Sequence, residues 1–183
     1  MSKVTIAGDA NGTGVFTIAA PNGNTNRTLT LPDEAGTIDT LQRSGNVLQV
    51  VSKTFSNTTD TTSYSFVSIG GSDISITPTS ASSRILVMYN IQLHMVKNNA
   101  ESRVVLQLTR NGSGINTPSE NIMWSTSTGS WREVFSAQFY DTPNTASATT
   151  YQLQFRSYNN DSSSIGTNAH DVSSTITVME IAG

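Results

Sequence analysis

The sequence predicts an all-β chain: an antiparallel jelly-roll sandwich preceded by a short β-rich segment, assembling as a homotrimer. Three observations lead to the all-β sandwich. Serine, threonine and asparagine make up 68 of 183 residues, while charged residues are only 13%. That is the composition of a sheet surface clothed in hydroxyls and amides, because threonine favours strands and Asn, Ser and Gly favour turns. Apolar and polar residues alternate in run after run, and helical spacing at i, i+3, i+4 is absent over any useful length. The runs follow one another closely with no helical stretch between them, the pattern of an antiparallel sandwich.

Taken in order, residues 1–46 hold few large apolar side chains: Val4, Ile6, Val15, Phe16, Ile18, Leu29, Leu31, Ile38 and Leu41. These are too few to close a core, so residues 1–46 read as an attachment or shaft segment and 47–183 as the head domain. Within the segment, "NRTLTLPDEAGT" (26–37) alternates like a strand and stops at Pro32 and Gly36, since Pro cannot extend a central ladder and Gly allows a turn. In the head, strands are expected at 47–55, 63–67, 72–77, 84–96, 103–110, 120–125, 130–141, 150–159 and 173–182. Each is bounded by Gly, Pro, Asn, Asp or Ser. "SYNNDSSSIGTNAHD" (157–171) reads as a long polar loop.

The strand faces carry further information. In "SRILVMYNIQLHM", Ile85, Val87, Tyr89, Ile91, Leu93 and Met95 share one face, while Leu86, Met88, Asn90, Gln92 and His94 share the other. A sheet open to water shows a cleaner polar side, so the mixed face calls for a cover, from loops of the same chain or from a second subunit. "SSTITVMEIAG" repeats the theme with Met179 and Ile181. Met88, His94, Met179 and Ile181 are therefore candidate interface residues. Phe16, Ile18, Leu29 and Leu31 join them, because three copies of a weak strand could pool their apolar faces on an axis.

Several function classes are disfavoured. A net charge of −3 with ten scattered basic residues gives no phosphate-binding face, so no nucleic-acid partner is expected. Without cysteine, stability must come from packing or oligomerisation. The opening "MSKVTIAGDA" shows no secretory signal, and no run approaches the ~18 apolar residues of a membrane span. Only His94 and His170 offer an imidazole. "NAHD" (168–171) could orient a histidine but lies in a polar stretch without a nucleophile elbow. No enzyme, metal site or cofactor is expected, although three copies of His94 on a threefold axis could hold one ion. Trp124 and Trp131 bracket "STSTGS" and are expected to lie close together at a hairpin. With Tyr158, Asn160, Asp161 and His170 they form the candidate ligand-binding set, aromatic rings for sugar faces and amides for hydroxyls.

"GVFTIAAPNGNTNRTLTLPDEAGTI" (14–38), with its G-x-x-T-I opening, Ala20-Pro21, Asn26-Arg27-Thr28, Leu31-Pro32 and Gly36-Thr37-Ile38, resembles a segment of bacteriophage tail-fibre and other virion appendage proteins. "SRILVMYNIQ", "LTRNGSGI", "FSAQFYDTP", "TYQLQFRSYNN" and "STITVMEI" are similar to the terminal globular domain of such fibres. The resemblance implies a trimeric jelly roll like that of tumour necrosis factor and C1q, mounted through its N-terminal segment on other virion proteins of the tail or capsid. It implies assembly in the host cytoplasm, a place on the virion exterior, and recognition of a host surface glycan or protein. A capsid-decorating or purely structural fibre would have the same fold without a receptor site, and an enclosed cleft with clustered acids would instead favour a glycan-degrading enzyme.

Overall fold

The computed structural model describes residues 11–15, 17, 19, 22–24, 26, 28, 43–97, 102–158, 163–168 and 172–183. The chain forms two compact units, Met1–Thr37 and Ile38–Gly183. The described residues of the first are exposed and lie in no strand or helix. Phe16, Ile18, Leu29 and Leu31 lie outside the described residues.

In the second unit the strands are β1 (Val47–Phe55), β2 (Thr59–Thr61), β3 (Val67–Ser68), β4 (Ile74–Ile76), β5 (Arg84–Lys97) and β6 (Ser102–Arg110). They continue with β7 (Ser113–Asn116), β8 (Met123–Ser125), β9 (Gly129–Asp141), β10 (Thr149–Ser157), β11 (Ser164–Thr167) and β12 (Ser174–Ile181). The expected all-β class is observed, as two six-stranded antiparallel sheets in an arrangement compatible with a β-sandwich.

Sheet 1 is built on β5. β9 runs along one edge of it from the Ile85–Asp141 pair to the Lys97–Gly129 pair. The other edge is divided, β12 taking residues 84–90 and β11 residues 93–96. β1 lies outside β12 and β2 outside β11. Sheet 2 centres on the β6–β10 pair, with β3 and β4 beside β10 and β7 and β8 beside β6.

Alternation then decides the core. Ile85, Val87, Tyr89, Ile91, Leu93 and Met95 of β5 are at most 4% exposed. They meet Val104, Leu106 and Leu108 of β6 and Tyr151, Leu153 and Phe155 of β10 in one hydrophobic cluster. Each such aliphatic or aromatic side chain contributes about 1.5–3 kcal/mol of transfer free energy on full burial.

Three expectations about elements need correction. The 63–67 strand is absent, and the chain pairs instead at β2 and β3. "SGIN" forms β7 against β6. The stretch 157–171 is not loop throughout, because Ser164–Thr167 forms β11 between β5 and β2. In β2 and β11 the backbone ladder supplies the stabilisation and one apolar residue, Ile165, the burial, so no alternating run marks them.

Two buried carboxylates fasten the head. Asp141, at the end of β9 in sheet 1, accepts hydrogen bonds from Arg110 Nη1 at 2.8 and 2.9 Å and from Tyr151 Oη at 2.7 Å, both in sheet 2. Burial, reinforced by the Asp141 carboxylate, pushes the Tyr151 phenol far above its ordinary value and keeps it a donor. Glu180 of β12 is fully buried. It accepts hydrogen bonds from Gln49 Nε2 (2.6 Å), Thr79 N (2.6 Å) and Thr79 Oγ1 (2.7 Å), which hold the β4–β5 connection against the sheet. Burial alone would raise its carboxyl, but these donors, with the Ser83 hydroxyl beside them, hold it below its ordinary value. Tyr89 is the contrasting case: its hydroxyl is buried without a hydrogen-bond partner, and burial pushes it up to about 12.

Two outcomes follow. Tyr151→Phe removes a hydrogen bond to a carboxylate and should cost ~1.5–3 kcal/mol in urea unfolding, whereas Tyr89→Phe removes an unpaired hydroxyl and should be neutral or stabilising. The depressed Glu180 carboxyl stabilises the folded state above its ordinary value of 4.5, and that stability is lost as pH falls through the lower folded value. The stability gap between wild type and Glu180→Gln should therefore be widest near neutrality and shrink below pH 4.5.

Candidate functional site

The outward face of sheet 2 ends in a stripe of arginine and aromatic residues. Trp124 of β8 is paired with Arg103 of β6, and the amide of Tyr158, just past β10, donates to the Arg103 carbonyl at 3.0 Å. One step along the strands, Arg156 stands opposite Val105. Strand register thus places the two guanidinium groups on neighbouring strands of one face.

The geometry interleaves them with rings. Arg103 Cζ lies 4.5 Å from the Tyr158 ring centroid. Arg156 Cζ lies 4.9 Å from Tyr64, 5.3 Å from Phe66 and 5.8 Å from Tyr158. At exposed sites each such contact is worth ~0.5–1 kcal/mol and fixes the plane of the guanidinium. Trp124 and Tyr64 are each 58% exposed. A surface depression of about 370 Å³ opens between Arg103, Asn121 and Trp124.

The electrostatics of this sheet are one-sided. Its six strands contain Arg103, Arg110 and Arg156 and no Asp or Glu. Arg110 is turned inward to Asp141, which leaves Arg103 and Arg156 as the outward charges. Beyond them the outward positions carry Gln107, Gln152 and Gln154, with Gln154 Nε2 donating to Ser68 Oγ at 3.3 Å.

Of the expected ligand set, the structure brings Trp124 and Tyr158 together through Arg103. Trp131 stands elsewhere. It lies on β9 opposite Met95, half-buried against the core and packed over Gly129. β8 pairs with β6 and β9 with β5, so "STSTGS" crosses between sheets and does not close a hairpin. Asn160, Asp161 and His170 lie outside the described residues. Arg103, Arg156, Tyr64 and Phe66 are not among the expected ligand residues, which lie near turns. Of the four, Arg156 alone is signalled in the sequence, by the outward phase of "TYQLQFRSY".

The outward face of sheet 1 gathers the expected interface residues Met88, His94, Met179 and Ile181. A row of apolar side chains crosses four strands there: Val50, Met179, Leu86 and Tyr140. Val50 and Tyr140 are 53% and 46% exposed. Beside the row, a depression of about 520 Å³ is bordered by Met88, Asn90, Gln138 and Thr177.

At the far end of this face, His94 Nε2 lies 3.1 Å from Asp60 Oδ1. The two are on β5 and β2, with Gly166 of β11 between them in register. A Cβ at Gly166 would run into both Asp60 Oδ1 and the His94 ring, so the His94–Asp60 contact exists because that position is glycine. Nδ1 of His94 is buried with no hydrogen-bond partner. Among the described residues the imidazole thus has an orienting carboxylate and no hydroxyl within hydrogen-bond reach to activate.

The two tryptophans should separate in a melting experiment. Trp131→Ala removes a ring packed on the core and should destabilise by about 2 kcal/mol or more, while Trp124→Ala should leave the midpoint nearly unchanged. Equal losses would place Trp124 in the core as well.

No protein-family model matches this chain, and comparison with curated proteins finds no match.

Proposed function

We propose that this chain is a bacteriophage virion appendage protein, a trimeric fibre head of the jelly-roll kind that takes part in host-surface recognition. The observation that carries this reading is the outward face of sheet 1. A sheet face with an apolar row across four strands needs a cover, and a second and third copy of the same face supply one about a threefold axis.

The strand order supports the jelly-roll reading. β1 pairs with β12, β4–β10 and β5–β9 are nested inside that pair, and the chain changes sheet after β2, β4, β5, β8, β9 and β10. Nested antiparallel pairs that alternate between two sheets are the pattern of two Greek keys. The resemblance of residues 14–38 to appendage segments supports a virion mount through the N-terminal unit. The head would then stand on the particle exterior with its binding surface outward. The reading asks for no catalytic residue, metal or cofactor.

Native mass spectrometry or light scattering at micromolar concentration should find three chains. Leu86→Glu or Met179→Glu, which buries an unpaired charge at each of three contacts, should shift the population to monomer. A folded wild-type monomer would sink the trimer. If the trimer forms but attaches to no susceptible cell, while particles carrying it adsorb through another protein, a capsid-decorating or structural role replaces recognition.

A further inference from the structure

We infer that the arginine and aromatic stripe on sheet 2 binds an anionic saccharide chain. In this arrangement Arg156 grips an acidic group, while Trp124 and Tyr64 stack on sugar faces. The inference deepens the recognition reading above and rests on it for the source of the ligand.

The guanidinium geometry comes first. A cation–π contact uses the face of the guanidinium and leaves its in-plane N–H donors for an anion. Arg156 is held this way over Tyr64 and Phe66, and among the described residues it makes no ion pair. Its orientation is therefore fixed by the rings and by Nη1 donating to the Ser157 carbonyl at 3.3 Å, and among the described residues no carboxylate pairs with its remaining donors. Bidentate arginine contacts to carboxylate or sulfate depend on a fork fixed in advance.

Charge distribution points the same way. The chain carries a net charge of −3, yet the strands of sheet 2 hold no acid. An anion approaching the outward face of these strands meets a guanidinium and amide donors and no carboxylate of the strands themselves.

The shape suits a chain more than a single sugar. From Trp124 on β8 the stripe passes Arg103 on β6 and Tyr158 beside β10 to Tyr64, whose neighbour Ser63 accepts a hydrogen bond from Ser157 N. That is three inter-strand steps, roughly 15 Å. The adjoining glutamine rows offer amide donors and acceptors to hydroxyls. A nucleic acid would also stack on the rings, but it needs a line of basic residues tracking its backbone, and here only two face outward.

The test uses the purified, assembled protein and oligosaccharide probes: oligogalacturonate, oligosialic acid, sulfated dextran and neutral dextran. Single-stranded DNA of matched length is included, and binding is measured by titration calorimetry at fixed salt. Wild type should bind at least one acidic chain about tenfold or more tighter than neutral dextran, and Trp124→Ala and Arg156→Gln should each weaken it about tenfold. Arg84→Gln, the same charge change on sheet 1, should leave it unchanged. Melting curves confirm that each variant is folded, and Trp124→Ala, which removes an exposed ring, keeps the test open if Arg156→Gln is not. The proposal is overturned if no acidic chain binds, if Arg84→Gln weakens binding as much as Arg156→Gln, if Trp124→Ala binds normally, or if DNA binds more tightly than every glycan. Attachment of wild type to susceptible cells, run alongside, separates the two ideas. Attachment that survives Trp124→Ala and Arg156→Gln leaves recognition standing and removes this site from it.

Discussion

Backbone pairing along β5 is the constraint on which the rest of the head depends. This strand is hydrogen-bonded on both edges, to β9 on one and to β12 and β11 on the other, so its register sets the phase of three further strands. A slip of one residue would send Leu86, Met88, Asn90, Gln92 and His94 into the core in place of Ile85, Val87, Tyr89, Ile91 and Leu93. The row a slip would bring inward holds two carboxamides and an imidazole, so the slipped state has no comparable core. In a chain with so few charged residues, this difference between two faces of one strand is the largest available source of specificity.

The buried carboxylates complete what apolar burial leaves loose. Hydrophobic contact holds the sheets together but discriminates weakly among small relative shifts. Asp141 joins β9 to β6 and β10 through directional bonds, and Glu180 ties the β4–β5 connection to β12. Both carboxylates gain donors enough to offset desolvation, which an unpaired buried charge would not. With Asp141 and Glu180 in sheet 1 and the sheet 2 strands free of acid, structural anchoring and surface potential are divided between the two sheets.

The long strands were legible because period-two alternation carries the burial they make. β1 has its expected bounds, and β5, β9, β10 and β12 differ from expectation by one or two residues at their ends. β2, β7 and β11 were not legible. Their stabilisation lies in hydrogen bonds to a neighbour distant in sequence, which composition does not record. The stripe was half legible. Trp124 and Tyr158 stand out as aromatic residues near turns, but their joining through Arg103 depends on the β6–β8 and β6–β10 registers, a property of three segments at once. Trp131, similar in composition and only seven positions from Trp124, belongs to the other sheet.

The pairing of β1 with β12 also governs when the head can form. Gln49 stands beside Glu180, so β1 must wait for nearly the whole head to be synthesised before its partner exists. β5, already emerged, meanwhile lacks the strand that covers residues 84–90. Local hairpins are few, and closure of such distant pairs is entropically slow. On the ribosome the nascent head is thus a set of half-paired sheets with open edges, exposed to neighbouring copies on the same message. Native closure is a race between the arrival of the last strand and pairing with the wrong chain.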